Sequence, residues 1–372
     1  MNIKINTKFT VEIFDYSNDG EGVARLDNGC IVFVEDAVRS DICDIVITKA
    51  RTRLCHAKIV KLVKSSEHRI RVDCSVFDRC GGCDYRHISY EEELFAKRKK
   101  VNDALRRIGG VGVEIEDILT TGKMNGYRNN IQLKSDGSKI GFYSSKTHDI
   151  VEIDKCLLVP EDMNRTIKHM QESGRAEQGT TLARVLHIKS DIETIGDLTF
   201  QRSGNAFFQV NTEVVRLLYD KAREYADLQL HECLLDLYCG TGTIALYLGR
   251  DAKRVIGVEI NAHAIDDAKV NAANNNINNA EFVCGDVSKL DVSNLTPDCI
   301  TVDPPRKGLT CELIQKITEL SPSRIVYISC APATLARDIN LLNGYQVKRA
   351  CAVDMFPRTK HVEVVVLLSK IE

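Results

Sequence analysis

The sequence predicts an α/β protein, a doubly wound sheet with a small β-barrel ahead of it. Two observations carry this. From about residue 230 onward, short apolar segments alternate with helical stretches, the pattern of stacked β–α units. Over residues 1–63, short β-branched runs are instead punctuated by Asn18-Asp19-Gly20 and Asp27-Asn28-Gly29, which are turn signals. Closely spaced short strands of that kind close most readily into a barrel.

In the first segment, strands are expected over 10–14, 30–34 and 44–47. Residues 72–200 are mixed. A helix is expected over 91–108, ended by Gly109-Gly110, because glycine commonly terminates helices. Further strands are expected within 127–159, and the polar stretch 172–178 reads as a surface loop. The sheet proper should use 233–238, 254–258, 281–284, 299–302, 324–329 and 362–368. The expected domains are 1–63, 72–200 and 201–372.

A chain of 372 residues is long enough for two or three separate cores. No apolar run reaches the ~20 residues that cross a bilayer, and the N-terminal segment lacks the apolar core of a signal peptide. A cytoplasmic protein without membrane association is expected. The net charge of −2 does not announce a nucleic-acid binder, but local charge is more informative. Lys49, Arg51, Arg53, Lys58, Lys61, Lys64, Arg69 and Arg71 face a single acid, Glu67. A second cluster is Lys97, Arg98, Lys99, Lys100, Arg106 and Arg107. Such clusters track a phosphate backbone or simply form a solvated face.

Fourteen cysteines are many for a reducing compartment, where clustered thiols indicate metal binding or catalysis. Cys74, Cys80 and Cys83 share one compact loop, and Cys156 is a candidate fourth ligand. Four cysteinates suit a [4Fe–4S] cluster or zinc, and their spacing leaves both open.

After the first strand of the sheet comes Asp236-Leu237-Tyr238-Cys239-Gly240-Thr241-Gly242-Thr243-Ile244-Ala245. Its glycines allow a tight turn and a close backbone approach to a ligand at a helix start. Glu259 ends the next strand, where a carboxylate can accept hydrogen bonds from ribose hydroxyls. This pattern serves S-adenosylmethionine (SAM) and NAD alike. Asp303-Pro304-Pro305-Arg306 follows the fourth strand and favours SAM. Its prolines stiffen the loop, which resembles the one by which nucleic-acid methyltransferases present a base to the methyl donor.

Cys330 ends the fifth strand, and Pro332 suits the first turn of a following helix. The helix dipole there should favour the thiolate, the nucleophilic form. Glu363 opens the apolar run 362–368. A final antiparallel strand, as in SAM methyltransferases, would bring Glu363 to the edge holding Asp303 and Cys330. Partial burial would raise its pKa and make it a better base. Methylation of carbon 5 of uracil needs both groups: a thiolate to add at carbon 6 and activate carbon 5, and a base to remove the carbon 5 proton.

Together these motifs resemble the RNA uracil-5-methyltransferase family over nearly the whole chain. The resemblance implies a Rossmann-like SAM-dependent methyltransferase sheet, an OB-like TRAM β-barrel and a small mixed α+β iron–sulfur domain. Residues 14–41 are similar to the RNA-binding TRAM barrel. Cys74, Cys80, Cys83 and Cys156 sit where the rRNA enzymes bind a [4Fe–4S] cluster. Gly126-Tyr127-Arg128-Asn129 and Thr147-His148-Asp149-Ile150-Val151 resemble the family's central domain. Gln209, Tyr238, Glu259 and Asp303 match SAM contacts, joined by Gly240, Thr243 and, toward the adenine, Asp286. The segment from Ser329-Cys330 to Arg337-Asp338 resembles the nucleophile motif, and Met355–Glu363 the base motif. Phe207 is a candidate to stack on the target base. The implied partner is RNA, 23S rRNA ahead of tRNA, bound by a monomer. The chain departs from the family in its compactness and in Gly-Thr-Gly-Thr, where some members carry asparagine at a neighbouring position. The readings from other classes are an NAD-dependent iron–sulfur oxidoreductase and a non-catalytic RNA-binding protein.

Overall fold

A computed structural model of the chain describes residues 3–371 apart from 116, 136–138, 146, 173–183, 187–191 and 203–208. Phe207, and the expected loop at 172–178 beyond its first residue, lie outside the described residues.

The N-terminal strands are β1 (Lys8–Glu12), β2 (Asp15–Tyr16), β3 (Gly22–Arg25), β4 (Ile31–Glu35), β5 (Ile42–Ala50) and β6 (Leu54–Lys64). They form one sheet in the order β1-β5-β6-β4-β3-β2. Gly20 and Gly29 adopt φ of +87° and +82° at the two expected turns, a conformation that favours glycine. Past β1, the Phe14 N–H donates to the Val23 carbonyl (2.9 Å), which bends the sheet back toward β3. Val32, Val34, Cys43, Ile45, Ile47, Cys55 and Ala57 fill the interior. Of the basic run 49–71, Lys49 lies on β5 and Lys58, Lys61 and Lys64 lie on β6.

Helix α1 (Tyr90–Arg107) starts where Ser89 accepts the Glu92 N–H. Acids occupy its first turn and Arg106 and Arg107 its last, matching the helix dipole. Its inner residues Val101 and Leu105 join the same core as Leu235, Ile300, Ile325 and Leu335. The mixed region continues with β7 (Ile118–Leu119), β8 (Asn130–Gln132), β9 (Lys134–Ser135), β10 (Ile140–Tyr143), β11 (Ile150–Glu152), α2 (Glu161–Glu172) and β12 (Arg184–Leu186). Ile131, Leu133, Ile140, Ile153, Met163 and Ile167 give it a small core of its own. The hairpin β13 (Ile192–Ile195) and β14 (Leu198–Gln201) packs with α3 (Thr212–Ala226) on the large sheet instead.

That sheet comprises β15 (Cys233–Leu237), β16 (Arg254–Glu259), β17 (Ala280–Cys284), β18 (Cys299–Val302), β19 (Arg324–Ser329), β20 (Tyr345–Val353) and β21 (Glu363–Lys370). Between them run α4 (Thr243–Gly249), α5 (Ala262–Asn274), α6 (Cys311–Leu320) and α7 (Pro332–Leu341). The strand order is β17-β16-β15-β18-β19-β21-β20-β7. Strands β15 to β19 pair in parallel, and β21 is antiparallel to both its neighbours. The chain leaves β15 toward β16 and returns to β18 on the other side. Ligands of open α/β sheets bind beyond the carboxyl ends of the strands at such a switch. Among the described residues, no helix is long and apolar enough to cross a membrane.

Candidate active site

The loop after β15 is shaped by backbone conformation. Tyr238, Gly240 and Gly242 have φ of +65°, +53° and +80°. A Cβ on Gly242 would lie 2.9 Å from Phe282 and 3.0 Å from Ala268, so that glycine seats the loop against α5 and β17. A Cβ on Gly240 would meet nothing within 4 Å, and there glycine answers to φ alone. The Glu259 carboxylate accepts the N–H of Gly240 (3.4 Å) through one oxygen and that of Asn261 (2.9 Å) through the other. Thr243 shares a hydrogen bond with the Tyr219 hydroxyl (3.0 Å). Asp286, after β17, accepts the Ser288 N–H and hydroxyl (2.9 and 2.7 Å), which holds its carboxyl below the usual range.

Beneath the loop Asp236 is buried. One oxygen accepts the Thr301 hydroxyl (2.5 Å), and the other has no hydrogen-bond partner. Burial pushes its pKa up to about 7 against the opposing Thr301 bond. Gln209 is buried together with Val210 and Asn211, and this segment is tied on both sides. The Asn129 side chain donates to the Gln209 carbonyl (3.1 Å), and the Asn211 side chain to the Met355 carbonyl (3.3 Å).

Asp303, Cys330 and Glu363 meet at the ends of β18, β19 and β21. Ser329 and Val364 form the last pair of β19 and β21, so Cys330, just past β19, and Glu363, which opens β21, come together at that edge. Glu363 is buried, and its pKa is pushed up to about 8 by burial and then by the Asp303 charge, with Arg306 opposing. Burial holds Asp303 near 7. The Cys330 thiol is also raised, by burial first and then by Glu363, while Arg306 lowers it. This corrects the expectation that the α7 dipole favours the thiolate: desolvation and two neighbouring carboxylates outweigh it.

The later residues of the Cys330 segment clamp the Asp303 loop. Asp338 accepts the Leu309 N–H (2.8 Å) and the Tyr327 hydroxyl (2.7 Å). Arg337 donates to the Lys307 carbonyl (2.9 Å), and Thr334 to that of Arg306 (3.2 Å). Sequence reasoning gave these three no role and did not single out Arg306, the cation facing Cys330 and Glu363. The motif itself was the available signal.

Cys74, Cys80, Cys83 and Cys156 all line one cavity of about 370 Å³, with Arg86 and Arg128 in its wall. Burial raises Cys80 and Cys156 and pushes Cys83 to about 12, against the pull of the buried Arg86 beside it. Arg86 is fixed by Asp73 (2.9 and 3.0 Å) and Asn125 (3.0 Å). Among the described residues, no group of three or more His, Cys, Asp or Glu is gathered closely enough to hold one metal ion.

Of the basic residues in the two clusters, Lys49, Arg51, Arg53, Lys58, Lys61, Lys64, Arg71, Arg106 and Arg107 are exposed. Others of the two clusters are held in ion pairs. Arg69 is paired with buried Asp41 (2.6 Å). Lys97 is fully buried between Glu93 and Asp354, Lys99 pairs with Asp15 (2.9 Å), and Arg106 pairs with Asp103 (2.9 Å).

A doubly wound sheet with an antiparallel β21, a glycine loop after β15 and an Asp-Pro-Pro loop after β18 defines a Rossmann-like methyltransferase fold. Comparison with known proteins agrees. The family model described as tRNA (uracil-5-)-methyltransferase matches residues 174–286 and 284–371, and the TRAM domain model matches residues 4–60. An uncharacterised RNA methyltransferase of Clostridium acetobutylicum is 34% identical, covering 100% of this chain and 98% of its own. One from Bacillus cereus is 33% identical, with the same coverage. The crystal structure of Pyrococcus abyssi tRNA (uracil-54, C5)-methyltransferase, in complex with S-adenosyl-L-homocysteine, superposes with a TM-score of 0.75. It is 26% identical and covers 96% of this chain and 99% of that one. The chain therefore belongs to the tRNA (uracil-5-)-methyltransferase family, whose members are SAM-dependent RNA methyltransferases. That membership displaces the reading as an NAD-dependent oxidoreductase.

Proposed function

We propose that this protein methylates carbon 5 of a uridine in RNA, with Cys330 as nucleophile and Glu363 as base. The observation that carries the reading is the register of β19 and β21, which brings these two residues together at the edge that holds Asp303. The target uridine must leave its stack to reach the sheet edge. The Cys330 thiolate adds to carbon 6, and the displaced π electrons make carbon 5 an enolate carbon. SAM supplies the methyl group that carbon 5 takes up. Glu363 then accepts the carbon 5 proton. The electrons of that C–H bond restore the 5,6 double bond as the C–S bond breaks and returns the thiolate.

Gln209, Tyr238, Gly240, Thr243, Glu259, Asp286 and Asp303 are the residues proposed to hold SAM. The open backbone at Gly240, the Glu259 carboxylate beside it and the unpartnered oxygen of Asp236 below fit a ligand at this loop. Cys74, Cys80, Cys83 and Cys156 are proposed to hold a [4Fe–4S] cluster. Four thiols around one cavity, with two guanidinium groups in its wall, fit an anionic occupant. Bound there, the cluster would cross-link the loop 74–83 to Cys156. The proposed domains are a TRAM barrel over 1–63, a cluster-bearing region over 72–200 and a catalytic domain over 201–372, acting as a cytoplasmic monomer.

The RNA proposed first is 23S rRNA, on the combination of TRAM barrel and cysteine cluster. The second reading is tRNA, favoured by the Pyrococcus abyssi enzyme, which acts on a tRNA uracil and matches along 96% of this chain. Unmodified rRNA and tRNA, incubated with anaerobically purified protein and methyl-labelled SAM, separate the two by nucleoside mass spectrometry. Labelled 5-methyluridine with the wild type and none with Cys330→Ala is the expected result. SAM binding with no label on either RNA would overturn the catalytic reading.

A further inference from the structure

Residues 354–362 join β20 to β21 and deliver Glu363 to the site. This loop is anchored chiefly by the segment that follows the cysteine loop, far away in sequence. The N–H groups of Asp84 and Tyr85 both donate to the Arg358 carbonyl (3.0 and 3.1 Å). The Arg358 guanidinium donates back to the carbonyls of Tyr85 (3.3 Å) and Ile88 (3.1 Å) and reaches the Met124 sulfur (2.8 Å). The Arg358 N–H donates to Glu93 (2.7 Å), and the Lys360 N–H to the Asp84 carboxylate (3.0 Å). The Tyr127 hydroxyl donates to the Pro357 carbonyl (3.0 Å).

Deeper in, Lys97 bridges Glu93 and Asp354 (both 2.6 Å) and donates to the Phe356 carbonyl (3.1 Å). The Tyr90 hydroxyl completes Asp354 (2.7 Å). Arg358 is buried with φ of +69°, a left-handed backbone that a non-glycine residue keeps only when its surroundings over-determine it. Asp84 directly follows Cys83, so the wall of the cysteine cavity and the loop of Glu363 share main-chain hydrogen bonds.

We propose that Arg358 and Asp84 are positioning residues that tie Glu363 to the cysteine-bearing loop, so that the base is aimed only when residues 80–88 are in place. This rests on the reading of Glu363 as the base. Cys330 is set by β19 and α7, a separate support. Loosening the Arg358 contacts should therefore leave thiolate addition intact and slow proton removal. A displacement on the order of 1 Å is enough to slow a step up to ~100-fold.

The test uses the full chain purified anaerobically, as wild type, Arg358→Ala, Asp84→Ala and Glu363→Gln, each with its metal content measured. Labelled RNA on denaturing gels follows formation and release of the covalent protein–RNA adduct. In Arg358→Ala and Asp84→Ala, formation should stay within about twofold of wild type while release slows roughly tenfold or more, lowering kcat without raising KM for RNA. Asp84 is partly exposed, so its variant keeps the measurement open where Arg358→Ala fails to fold. Formation and release falling together, in step with the folded fraction, would overturn the inference. A stable adduct in Glu363→Gln with prompt release in the other two would overturn the coupling and leave the base standing. Wild-type release in Glu363→Gln would remove the base and the inference together.

Discussion

Glu363 and Cys330 come together at the shared edge of β19 and β21, one residue beyond the Ser329–Val364 pair. Burial and then Glu363 raise the Cys330 thiol, while burial and then Asp303 raise Glu363. In the proposed reaction the repulsion between Glu363 and Cys330 lasts only while the thiolate is free. Once the thiolate is consumed as a thioether and the methyl group has quenched the enolate, the negative charge beside Glu363 is gone. The carboxylate then no longer opposes a thiolate beside it and can take the carbon 5 proton.

The pH dependence follows from the same geometry. Glu363 must be ionised to act, and its pKa lies near 8 with Cys330 also raised. Turnover should therefore climb with pH through 8. Arg306 lowers both groups, so Arg306→Gln should move the rise to higher pH. Initial rates at saturating RNA across a pH series check this. A profile unmoved by Arg306→Gln would refute the electrostatic account.

Loss of the buried cation in the base-loop network should be felt as stability. Lys97 is fully buried between Glu93 and Asp354. Lys97→Met leaves Asp354 without its counter-ion and Glu93 with only the more distant Arg358 (3.6 Å), and breaking a buried pair in this way destabilises by about 3–5 kcal/mol. The double variant Lys97→Met, Asp354→Asn should recover most of that, because Glu93 keeps Arg358 (3.6 Å) and no unpaired charge remains. Denaturant unfolding measures both, and a loss below about 1 kcal/mol in the single variant would contradict the network's role.

Much of the sheet was legible because burial on both faces leaves an uninterrupted apolar run. β18 and β19 fall on the expected 299–302 and 324–329. β20 was not anticipated. Lys348 and Arg349 interrupt its apolar pattern, and only its end, Cys351 to Val353, is buried. α1 appeared at its expected place, yet its packing on the large sheet was hidden because Leu235 and Ile300 are distant in sequence. Cys330 and Glu363 were legible because each sits in a local motif. The residues that aim Glu363 were not. Asp84 and Arg358 meet only in three dimensions, and Lys97 looked like one more member of a basic run.

The cysteine cavity makes a prediction independent of catalysis. Protein purified without oxygen should be brown and carry about four irons per chain, the content of a [4Fe–4S] cluster. Cys83→Ser should lose most of that iron and colour. Elemental analysis with visible absorption decides the point, and colourless protein with one zinc would refute the cluster.

Glu363 also predicts a conflict between function and stability. Its folded pKa near 8 lies above the ~4.3 of an unfolded glutamate. Between those values the folded chain holds a proton that the unfolded chain has released. Stability must then fall as pH rises from about 4.3 to 8, with the loss complete above 8. Glutamine cannot ionise and stays neutral throughout. Glu363→Gln should therefore match wild type near pH 4 but melt roughly 10 °C or more higher at pH 8.5, because the difference between ~4.3 and about 8 is worth about 5 kcal/mol and ~1 kcal/mol moves the melting point of a domain of this size by ~2–4 °C. Paired melting curves at the two pH values test it. Equal melting temperatures at both would mean that the charge on Glu363 is compensated in the folded protein, and the raised pKa on which its role as a base depends would have to be abandoned.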